Sequence, residues 1–508
     1  MKEIILLLFL VILGQVAINV AMPRINYSTL RRQILEYEQR MSIGANLSLN
    51  NVEAEANKIL MNAKRKELDA AFKNPSQFTP GRNFISAKND IDRSKVFQLL
   101  RRMPKGAVLH AHDTAMVSFD YMYHNVTFFD DLYICDKKDN IRLHFFREPD
   151  KDCDWELLKK VREDPSRAPR VNESIKEALT MSNKTSNNSY SDIDTAWGKF
   201  NSIFKFVQPL VTYRPVWEHH FLKALEELYQ DNVMYLELRT TLPELYDFNG
   251  TVYGPRDVVG IYENLTERLV FPKGHPDFVG VKLIYAPRRS VDKQRMKDYV
   301  RTLKELQQSY PKFIAGFDLV GQEDKGKTLK YFADVLMEAE SNTKFFFHAG
   351  ETNWYGRSTD ENLVDAILLN TRRIGHGYAL IYHPFLMEMA KRMDIAIEVN
   401  PISNQVLKLV DDLRNHAARR LFAEGYPVVV SNDDPGFWNA RALSYDFYET
   451  FMALMSDHSD LKGLKQLAMN SLIYSSMNNT EKNMAMTLWE NKWDSFVEDV
   501  NLQGSTYR

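Results

Sequence analysis

The chain has 508 residues, and its 65 Lys and Arg against 67 Asp and Glu give a formal net charge of -2 at pH 7. This balance excludes the strongly basic surface of a general nucleic-acid binder or a binder of acidic membranes, so we expect no nucleic-acid partner. Two cysteines exclude a disulfide-rich scaffold and a four-cysteine zinc module. The length predicts either about three domains or one large barrel with additional segments.

The N-terminus has the pattern of a cleavable secretory signal peptide, which we predict to span residues 1–21. The apolar run Ile4–Leu13 is too short for a membrane-spanning helix, which needs roughly 20 residues. Small residues at Gly14, Ala17 and Ala21 follow it, as before a cleavage site. A buried N-terminal helix or an uncleaved anchor is the alternative. Because no later stretch is comparably apolar, we expect a secreted, extracellular protein without a membrane span.

Acceptor sites for N-linked glycosylation independently support export from the cell. The Asn-x-Ser/Thr pattern occurs at Asn26, Asn46, Asn125, Asn172, Asn183, Asn187, Asn249, Asn264 and Asn478. In the oxidising environment outside the cell, Cys135 and Cys153 are expected to form a disulfide bond across a short loop. Two unpaired thiols are the alternative.

The region after the predicted signal, residues 22–104, has helical periodicity. Apolar side chains recur on one predicted face at Val52, Ala56, Ile59 and Ala63. Residues 128–190 differ, because they contain both cysteines, many charges and a polar tract but little periodicity. This composition predicts a small, partly flexible insert that is clamped by its disulfide.

Residues 105–127 and 191–508 alternate apolar, β-rich runs with helical patterns. The eight runs are residues 107–109, 233–236, 278–284, 314–319, 344–347, 373–375, 395–399 and 427–430. Continuous apolar runs separated by helices are typical of a parallel sheet buried on both faces. Eight such units predict an α/β fold of the TIM (β/α)8 barrel type, with its chemistry at the carboxyl ends of the strands. A doubly wound open sheet is the alternative, but its usual Gly-rich phosphate turn is missing from the sequence.

Several of these runs end in residues that bind metals. His110 and His112 end the first run, and residues two apart in a strand face the same side, so both imidazoles converge. His348 follows the fifth run and Asp433 follows the eighth. A His-x-His pair alone is weak evidence, but three histidines and one aspartate at strand ends favour a catalytic zinc ion with an open position.

Groups that can move protons accompany the predicted metal ligands. Glu351 follows His348 by three residues, and a carboxyl group in a partly dry pocket can act as a general acid. His376 lies between two glycines, where an imidazole can orient or deprotonate an attacking water. Asp434 is adjacent to Asp433 and can accept a hydrogen bond from a polar ligand.

The sequence around these residues resembles the signature blocks of adenosine deaminases in the metal-dependent amidohydrolase superfamily. The blocks are residues 106–113, 316–321, 347–351, 373–377 and 431–435. In the small cytosolic members one residue separates the second histidine from its aspartate, whereas Asp113 directly follows His112 here. Together with the predicted signal peptide, helical region and insert, this feature resembles the secreted adenosine deaminase growth factor class.

The resemblance implies a reaction and roles for the metal-site residues. It implies one zinc ion per subunit on His110, His112, His348 and Asp433. Glu351 would protonate the purine at N1, while His376 and Asp433 would orient the hydroxide that attacks C6. The implied reaction converts adenosine to inosine, or 2′-deoxyadenosine to 2′-deoxyinosine, with release of ammonia.

The resemblance also implies substrate contacts and partners. Asp434 and the backbone around Gly321 would hold the purine ring nitrogens, and Asp113 and Trp197 would lie on the ribose side. Plain core packing is the alternative for Trp197. The helical region is implied to form a homodimer, although packing onto its own barrel is the alternative. The insert is implied to contact a cell-surface receptor or glycan, in keeping with growth-factor activity.

Two other functions compete with this interpretation. An amidohydrolase acting on another purine is one, but a nucleotide would need a phosphate-binding site that the sequence does not reveal. A secreted signalling ligand on a barrel that has lost catalysis is the other. Such a protein would be expected to have lost a metal ligand or the acid, and all of them are present.

Overall fold

A computed structural model gives the fold of the chain. It describes residues 26–137, 140–182, 190–270, 275–339 and 342–505. The predicted signal peptide and the acceptor sites Asn183 and Asn187 lie outside the described residues. Of the other acceptor asparagines, Asn172 is half-buried and the remainder are exposed. Within the described ranges, no helix is both long enough and apolar enough to cross a membrane.

Strands and helices alternate along much of the chain. The strands are β1 Gly106–His112, β2 Leu132–Lys137, β3 Asn140–Phe145, β4 Glu156–Leu157, β5 Val233–Thr240, β6 Leu245–Tyr246, β7 Val252–Tyr253, β8 Gly280–Tyr285, β9 Ile314–Phe317, β10 His348–Ala349, β11 Arg373–His376, β12 Ala396–Val399 and β13 Val428–Val430. The helices are α1 Tyr27–Met41, α2 Asn51–Lys73, α3 Phe84–Ile91, α4 Lys95–Leu100, α5 Phe119–His124, α6 Leu158–Glu163, α7 Ala168–Leu179, α8 Ile193–Val211, α9 Arg214–Gln230, α10 Pro255–Val270, α11 Lys293–Ser309, α12 Leu329–Leu336, α13 Asn362–Leu368, α14 Pro384–Arg392, α15 Pro401–Val406, α16 Arg419–Ala423, α17 Ser444–Glu449, α18 Leu461–Ile473 and α19 Asn479–Ser505.

Two four-stranded parallel sheets form the centre of the α/β fold. Their strand orders are β1-β5-β8-β9 and β10-β11-β12-β13. Single parallel bridges connect Phe317 to Phe345 and Ala111 to Asp433, so the two sheets touch at both of their edges. Because the strands are parallel, the carboxyl ends of all eight lie at one end of the assembly.

The predicted strands are found, with one displaced in sequence. The fifth run was expected at residues 344–347, but the regular strand β10 begins only at His348. Phe317 of β9 still bonds to this run through its backbone, since its amide donates to the Lys344 carbonyl at 3.0 Å and its carbonyl accepts from the Phe346 amide at 3.0 Å. Gly316 permits the close approach, because a Cβ there would lie 2.1 Å from the Lys344 carbonyl oxygen. The run therefore pairs locally without becoming a regular strand.

The predicted N-terminal helices are present, and three residues of the predicted face of α2, Ala56, Ile59 and Ala63, are buried or partly buried against the core. The helix begins with a capping box, in which Asn50 Oδ1 accepts from the Glu53 amide and Glu53 Oε2 accepts from the Asn50 amide. Val52 is 44% exposed, whereas Glu53 and Lys64 are buried. Glu53 contacts Lys465 and Trp493, and Lys64 donates to two backbone carbonyls. An apolar repeat could not reveal a face that is anchored by paired polar groups.

The segment between residues 128 and 190 is more regular than its composition indicated. It contains the antiparallel sheet β3-β2-β4 and the helices α6 and α7. The predicted disulfide between Cys135 and Cys153 is present. The segment also packs on the rest of the chain, because Phe145 stacks on Tyr213 at 4.9 Å and the Met181 amide donates to the Phe437 carbonyl at 2.7 Å.

Candidate metal centre and active site

The four predicted metal ligands meet at the carboxyl ends of the strands. His110 and His112 end β1, His348 begins β10, and Asp433 follows β13. One donor atom from each lies within 4.8 Å of the others. His112 is partly exposed, and the other three are buried. This cluster of three imidazoles and one carboxylate matches the donor set that zinc prefers.

The hydrogen bonds around these histidines leave lone pairs facing one another. His110 Nδ1 bonds to Glu398 Oε2 at 2.7 Å, and His348 Nδ1 bonds to Asp318 Oδ2 at 2.6 Å. Carboxylates only accept, so each Nδ1 carries a proton, and in the neutral ring that binds a metal each Nε2 presents a lone pair. His110 Nε2 and Asp433 Oδ1 lie 3.3 Å apart and are both buried without a hydrogen-bond partner. Two such acceptors are stable at this distance with a cation between them, so the residues fit a metal ion.

A single arginine connects the carboxylates that orient two of the ligands. Arg239 Nε donates to Asp318 Oδ2 at 2.7 Å, and its Nη2 donates to Glu398 Oε2 at 2.8 Å. Arg373 binds the other oxygen of Glu398 at 2.5 Å and also Glu237 at 2.7 Å. All five of these side chains are buried. Although burial alone raises the pKa of Asp318 and of Glu398, the arginines and the histidines lower both well below their ordinary values.

Asp433 and His376 are held in backbone conformations that side chains rarely adopt. Their φ angles are 57° and 61°, in the left-handed region. Such a residue costs about 1–3 kcal/mol and persists where the surroundings fix it. Ser403 Oγ donates to Asp433 Oδ2 at 2.6 Å, which leaves Oδ1 directed at the three histidines. The positive φ angles therefore aim both side chains into the site.

Glu351 is positioned by a second buried acid. Glu323 accepts from the amides of Gly350 and Glu351, at 3.3 Å and 3.0 Å, and from Asn362 Nδ2 at 2.7 Å. Arg289 lies 3.5 Å from Glu323 and is itself buried. Burial, together with the charges of Asp433 and Glu323, raises the pKa of Glu351 well above its ordinary value. The raised pKa favours the protonated form of this carboxyl group, which is the form that can donate a proton.

His376 lies beside both the acid and the metal ligand. Its Nε2 is 3.8 Å from Glu351 Oε1 and 3.7 Å from Asp433 Oδ2. Burial lowers the pKa of His376 well below its ordinary value, so the ring is neutral. A neutral imidazole donates through one nitrogen and accepts through the other. It can therefore orient a polar reactant at this point.

A cavity of about 470 Å³ opens over these residues. The predicted substrate residues Asp434, Asp113, Gly321 and Trp197 all line it. Burial and the neighbouring Asp433 raise the pKa of Asp434 well above its ordinary value, and its Oδ1 has no hydrogen-bond partner. Trp197 is 7% exposed and packs edge-on against Phe200, so it combines core packing with a place in the cavity wall.

Sequence reasoning missed the buried charges behind the ligands. Glu237 and Arg239 are two residues apart on β5, and Glu398 interrupts the apolar run of β12. A charged residue inside an otherwise apolar strand is the signal that could have revealed them, because burial requires a partner. His219 and His220 are adjacent on α9, and neither belongs to the metal cluster found among the described residues.

Comparison with known proteins gives matches over most of the chain. The family profile described as "Adenosine deaminase" matches residues 168–488, and "Adenosine/AMP deaminase N-terminal" matches residues 6–100. The adenosine deaminase of Phlebotomus duboscqi is 45% identical over 490 residues, which cover 95% of this chain and 94% of that protein. Adenosine deaminase 2 of Sus scrofa is 43% identical over 480 residues, which cover 92% and 94%.

A solved structure shares the fold. The N6-mAMP deaminase of Arabidopsis aligns with a TM-score of 0.56 over 78% of this chain and 99% of that chain, at 17% sequence identity. The site and the sequence matches define a hydrolase. The chain belongs to the adenosine deaminase family, and within the amidohydrolase superfamily it is an adenosine deaminase 2-like member. The resemblance predicted from the sequence blocks is thereby confirmed.

Proposed function

We propose that this protein is a zinc-dependent deaminase of adenosine and 2′-deoxyadenosine, which yields inosine or 2′-deoxyinosine and ammonia. Membership of the adenosine deaminase family supports adenosine deamination itself. The observation that carries the proposal is the set of converging acceptor atoms beside Glu351, whose pKa is raised by burial. A signalling-only protein would be expected to have lost a ligand or the acid, and this set is complete.

The proposed scaffold is a closed TIM barrel. Two parallel sheets that touch through bridges at Phe317–Phe345 and Ala111–Asp433 support closure. The site at the carboxyl ends of the strands also agrees with that architecture. We propose residues 105–127 and 191–508 as this catalytic domain, after a signal peptide at 1–21 and a dimerisation region at 22–104.

The proposed cofactor is one zinc ion per subunit, on His110, His112, His348 and Asp433. Zinc supplies Lewis acidity that makes water a nucleophile at neutral pH. The buried Glu398 and Asp318 keep the ligand rings of His110 and His348 in the orientation that presents Nε2. Burial also lowers the pKa of His348 to about 3, so that this ring is neutral and able to coordinate.

The chain's own side chains supply the proton chemistry. Glu351 donates its proton to N1 of the purine, which makes C6 electrophilic and open to attack. Burial and Asp433 raise the pKa of Asp434, and in its protonated form Asp434 would donate a hydrogen bond to a second ring nitrogen. The backbone at Gly321 lies at the cavity wall, with open space at the position that a Cβ would take. These contacts would select a purine that carries a leaving group at C6.

The cavity mouth favours an uncharged nucleoside over a nucleotide. Lys325 lines the cavity, but its Nζ is paired with Asp194 Oδ2 at 2.9 Å. Asp194 also accepts from Gln322 at 3.1 Å. A phosphate would have to displace this carboxylate or rely on the exposed Arg288. The pairing therefore supports adenosine ahead of AMP.

The proposal is tested with purified protein and a panel of purines. We expect ammonia release from adenosine and 2′-deoxyadenosine, with far slower turnover of AMP and of free adenine. If AMP were deaminated faster than adenosine, the substrate would be a nucleotide and not the proposed nucleoside. Zinc-loaded, folded protein that deaminates none of the four would contradict the enzymatic proposal and favour a signalling role.

Secretion and glycosylation form a second part of the proposal. The signal-like N-terminus supports it, together with exposed acceptor asparagines such as Asn46, Asn249 and Asn478. Expression of the full chain in eukaryotic cells tests it. We expect protein in the medium that begins after residue 17 or 21 and loses mass on treatment with an N-glycosidase. Retention of an uncleaved chain inside the cells would contradict it.

We also propose a homodimer formed through the N-terminal helices. Helix α1 buries none of its side chains, and Ile34 and Tyr37 are 63% and 55% exposed. An apolar surface of this kind on a folded chain favours association. We expect light scattering to give twice the chain mass for the wild type and the chain mass for Ile34→Glu. A monomeric wild type at micromolar concentration would contradict the dimer.

The segment 128–190 is proposed to bind a cell-surface receptor or glycan and to support growth-factor activity. Its own disulfide and sheet make it a distinct surface beside the catalytic domain. Binding of labelled protein to cells tests this role, with Glu351→Gln as a control for signalling by deamination. We expect binding to survive that substitution. Equal binding after replacement of the exposed residues of this segment would contradict the role.

A further inference from the structure

The proton on the ring of His376 determines what this residue can do. Its Nε2 faces Glu351 and Asp433, whereas its Nδ1 faces Asn404 Nδ2 at 3.1 Å. An Nε2–H ring donates a hydrogen bond into the active site, and an Nδ1–H ring presents a lone pair there that can accept a proton. The sequence alone left two roles open for His376, because its imidazole could orient the attacking water or deprotonate it.

The position of the His376 proton follows from a chain of hydrogen bonds that starts at the backbone amide of Ala418, away from the metal ligands. The amide of Ala418 donates to His416 Nδ1 at 3.0 Å. Because a backbone N–H can only donate, this nitrogen of His416 is an acceptor. Burial lowers the pKa of His416 to about 3, so the ring is neutral and carries its one proton on Nε2.

The proton on His416 Nε2 fixes the orientation of the Asn404 side-chain amide. His416 Nε2 lies 3.0 Å from an atom of the Asn404 amide group, which must be the carbonyl oxygen because it accepts. The amide nitrogen of Asn404 therefore points the other way, toward His376 Nδ1. Asn400 Nδ2 lies 3.5 Å from the same nitrogen and adds a second donor. His376 Nδ1 is thus an acceptor.

We infer that the chain Ala418–His416–Asn404 holds His376 as its Nε2–H tautomer, which makes His376 a hydrogen-bond donor toward the reacting groups. The three side chains of His376, Asn404 and His416 are between 1% and 3% exposed, so bulk water does not compete for these bonds. Asn404 and His416 are positioning residues, because they touch neither substrate nor metal ligand and act through His376. The inference deepens the proposed deaminase function and rests on it for its chemical meaning.

The tautomer decides between the two roles of His376. A ring with its proton on Nε2 orients the attacking water or the substrate by donation, and it cannot take up a proton through that nitrogen. Asn404 is buried among apolar and polar neighbours of α15, where one amide rotation would exchange donor for acceptor. The hydrogen bond from His416 to Asn404 prevents this rotation. His416 thereby fixes the tautomer of His376 without contacting the reacting groups.

Nitrogen NMR of the zinc-loaded protein, labelled with 15N at histidine, reads the tautomer directly. Signals of His376 are assigned by their loss in His376→Gln, and the spectrum is repeated after chelation of the metal. We expect the proton on Nε2 of His376 and also on Nε2 of His416. A proton on Nδ1 of His376 in the wild type would overturn the inference, and this readout needs neither activity nor a variant of the chain Ala418–His416–Asn404.

Matched variants then test whether the hydrogen-bond chain is the cause. Asn404→Leu and His416→Phe remove the chain, whereas His416→Gln keeps a donor toward Asn404, and His458→Gln changes an exposed histidine. We expect kcat to fall about 10–100-fold in the first two, with KM changed less than about two-fold, and to recover in His416→Gln. A folded Asn404→Leu with unchanged kcat and tautomer would overturn the inference. Failure of the wild type to deaminate adenosine, with the proton on Nε2, would instead remove the proposed function and leave the tautomer assignment standing.

Discussion

Glu398 Oε2 accepts a hydrogen bond from Nδ1 of His110 at 2.7 Å, and both side chains are completely buried. This contact turns Nε2 of His110 toward Asp433 and the metal site. Glu398 also forms ion pairs with two buried arginines, Arg239 and Arg373, which bind one carboxylate oxygen each and compensate its negative charge. The metal centre therefore depends on a network of buried charges behind its ligands.

Glu398→Gln is expected to weaken metal binding without abolishing the fold. The amide still accepts from His110, but it lacks the charge that increases the basicity of the ligand nitrogen. Partners of this kind are worth about 10–100-fold in metal affinity. Competition with a chelator measures the zinc affinity, and Glu244→Gln at an exposed position is the control. Equal affinity in both variants would show that Glu398 has no part in the centre.

Arg239→Met is expected to destabilise the protein strongly. The substitution removes the partner of two buried carboxylates, Asp318 and Glu398. Loss of one partner from such a buried pair costs about 3–5 kcal/mol. Lys293→Met is the matched control, because Lys293 and Asp334 form an exposed pair worth about 0–1 kcal/mol. Urea unfolding compares the two, and similar losses would contradict the assigned role of burial.

Glu351→Gln is expected to keep the metal and lose turnover. Glutamine fills the same space, but it cannot release a proton to the substrate, and a general acid contributes about 10²–10⁴-fold to the rate. Zinc content and kcat are measured together, with Glu361→Gln as an exposed control. Full turnover in Glu351→Gln would assign the acid role to another group.

The sequence predicted the parallel α/β fold and the metal ligands for the same physical reason. Apolar strands of a parallel sheet bring the residues at their carboxyl ends together, so His110, His348 and Asp433 could be placed without a structure. Glu351 and His376 followed from their positions next to strand ends. The sequence pattern was sufficient for residues at strand ends, because their position in the strand determines where they lie in the fold.

The rest depended on pairings between distant parts of the chain. Glu53 is buried because Lys465 and Trp493 reach it from the C-terminal helices. His416 gains its role only because the loop before α16 brings it against Asn404. No periodicity encodes such contacts, since each residue is unremarkable in its own segment. The sheet β3-β2-β4 was also missed, although Ile141, Leu143 and Phe145 alternate with polar residues along β3.

Glu449 is expected to make the protein less stable as the pH rises. Burial raises its pKa to about 8, against the partial opposition of Arg82. A raised folded-state pKa contributes stability that is fully present below the unfolded-state pKa of about 4.3. That contribution is lost as the pH rises to about 8, because the unfolded state ionises first.

Glu449→Gln removes this titration and tests it. We expect the difference in unfolding free energy between variant and wild type to increase in favour of the variant from pH 5 to pH 8. Glu498→Gln at an exposed position should keep the slope of the wild type. Parallel pH profiles for wild type and Glu449→Gln would contradict the expected titration of the buried carboxyl group.

The most direct test of the central claim is metal reconstitution of the deaminase reaction. Zinc is removed from the purified protein by chelation and returned in measured steps, while the conversion of adenosine to inosine is followed by ultraviolet absorbance. We expect turnover to be lost in the metal-free protein and to rise in proportion to zinc, with a plateau at one ion per chain. Full turnover by protein shown to be metal-free would contradict it.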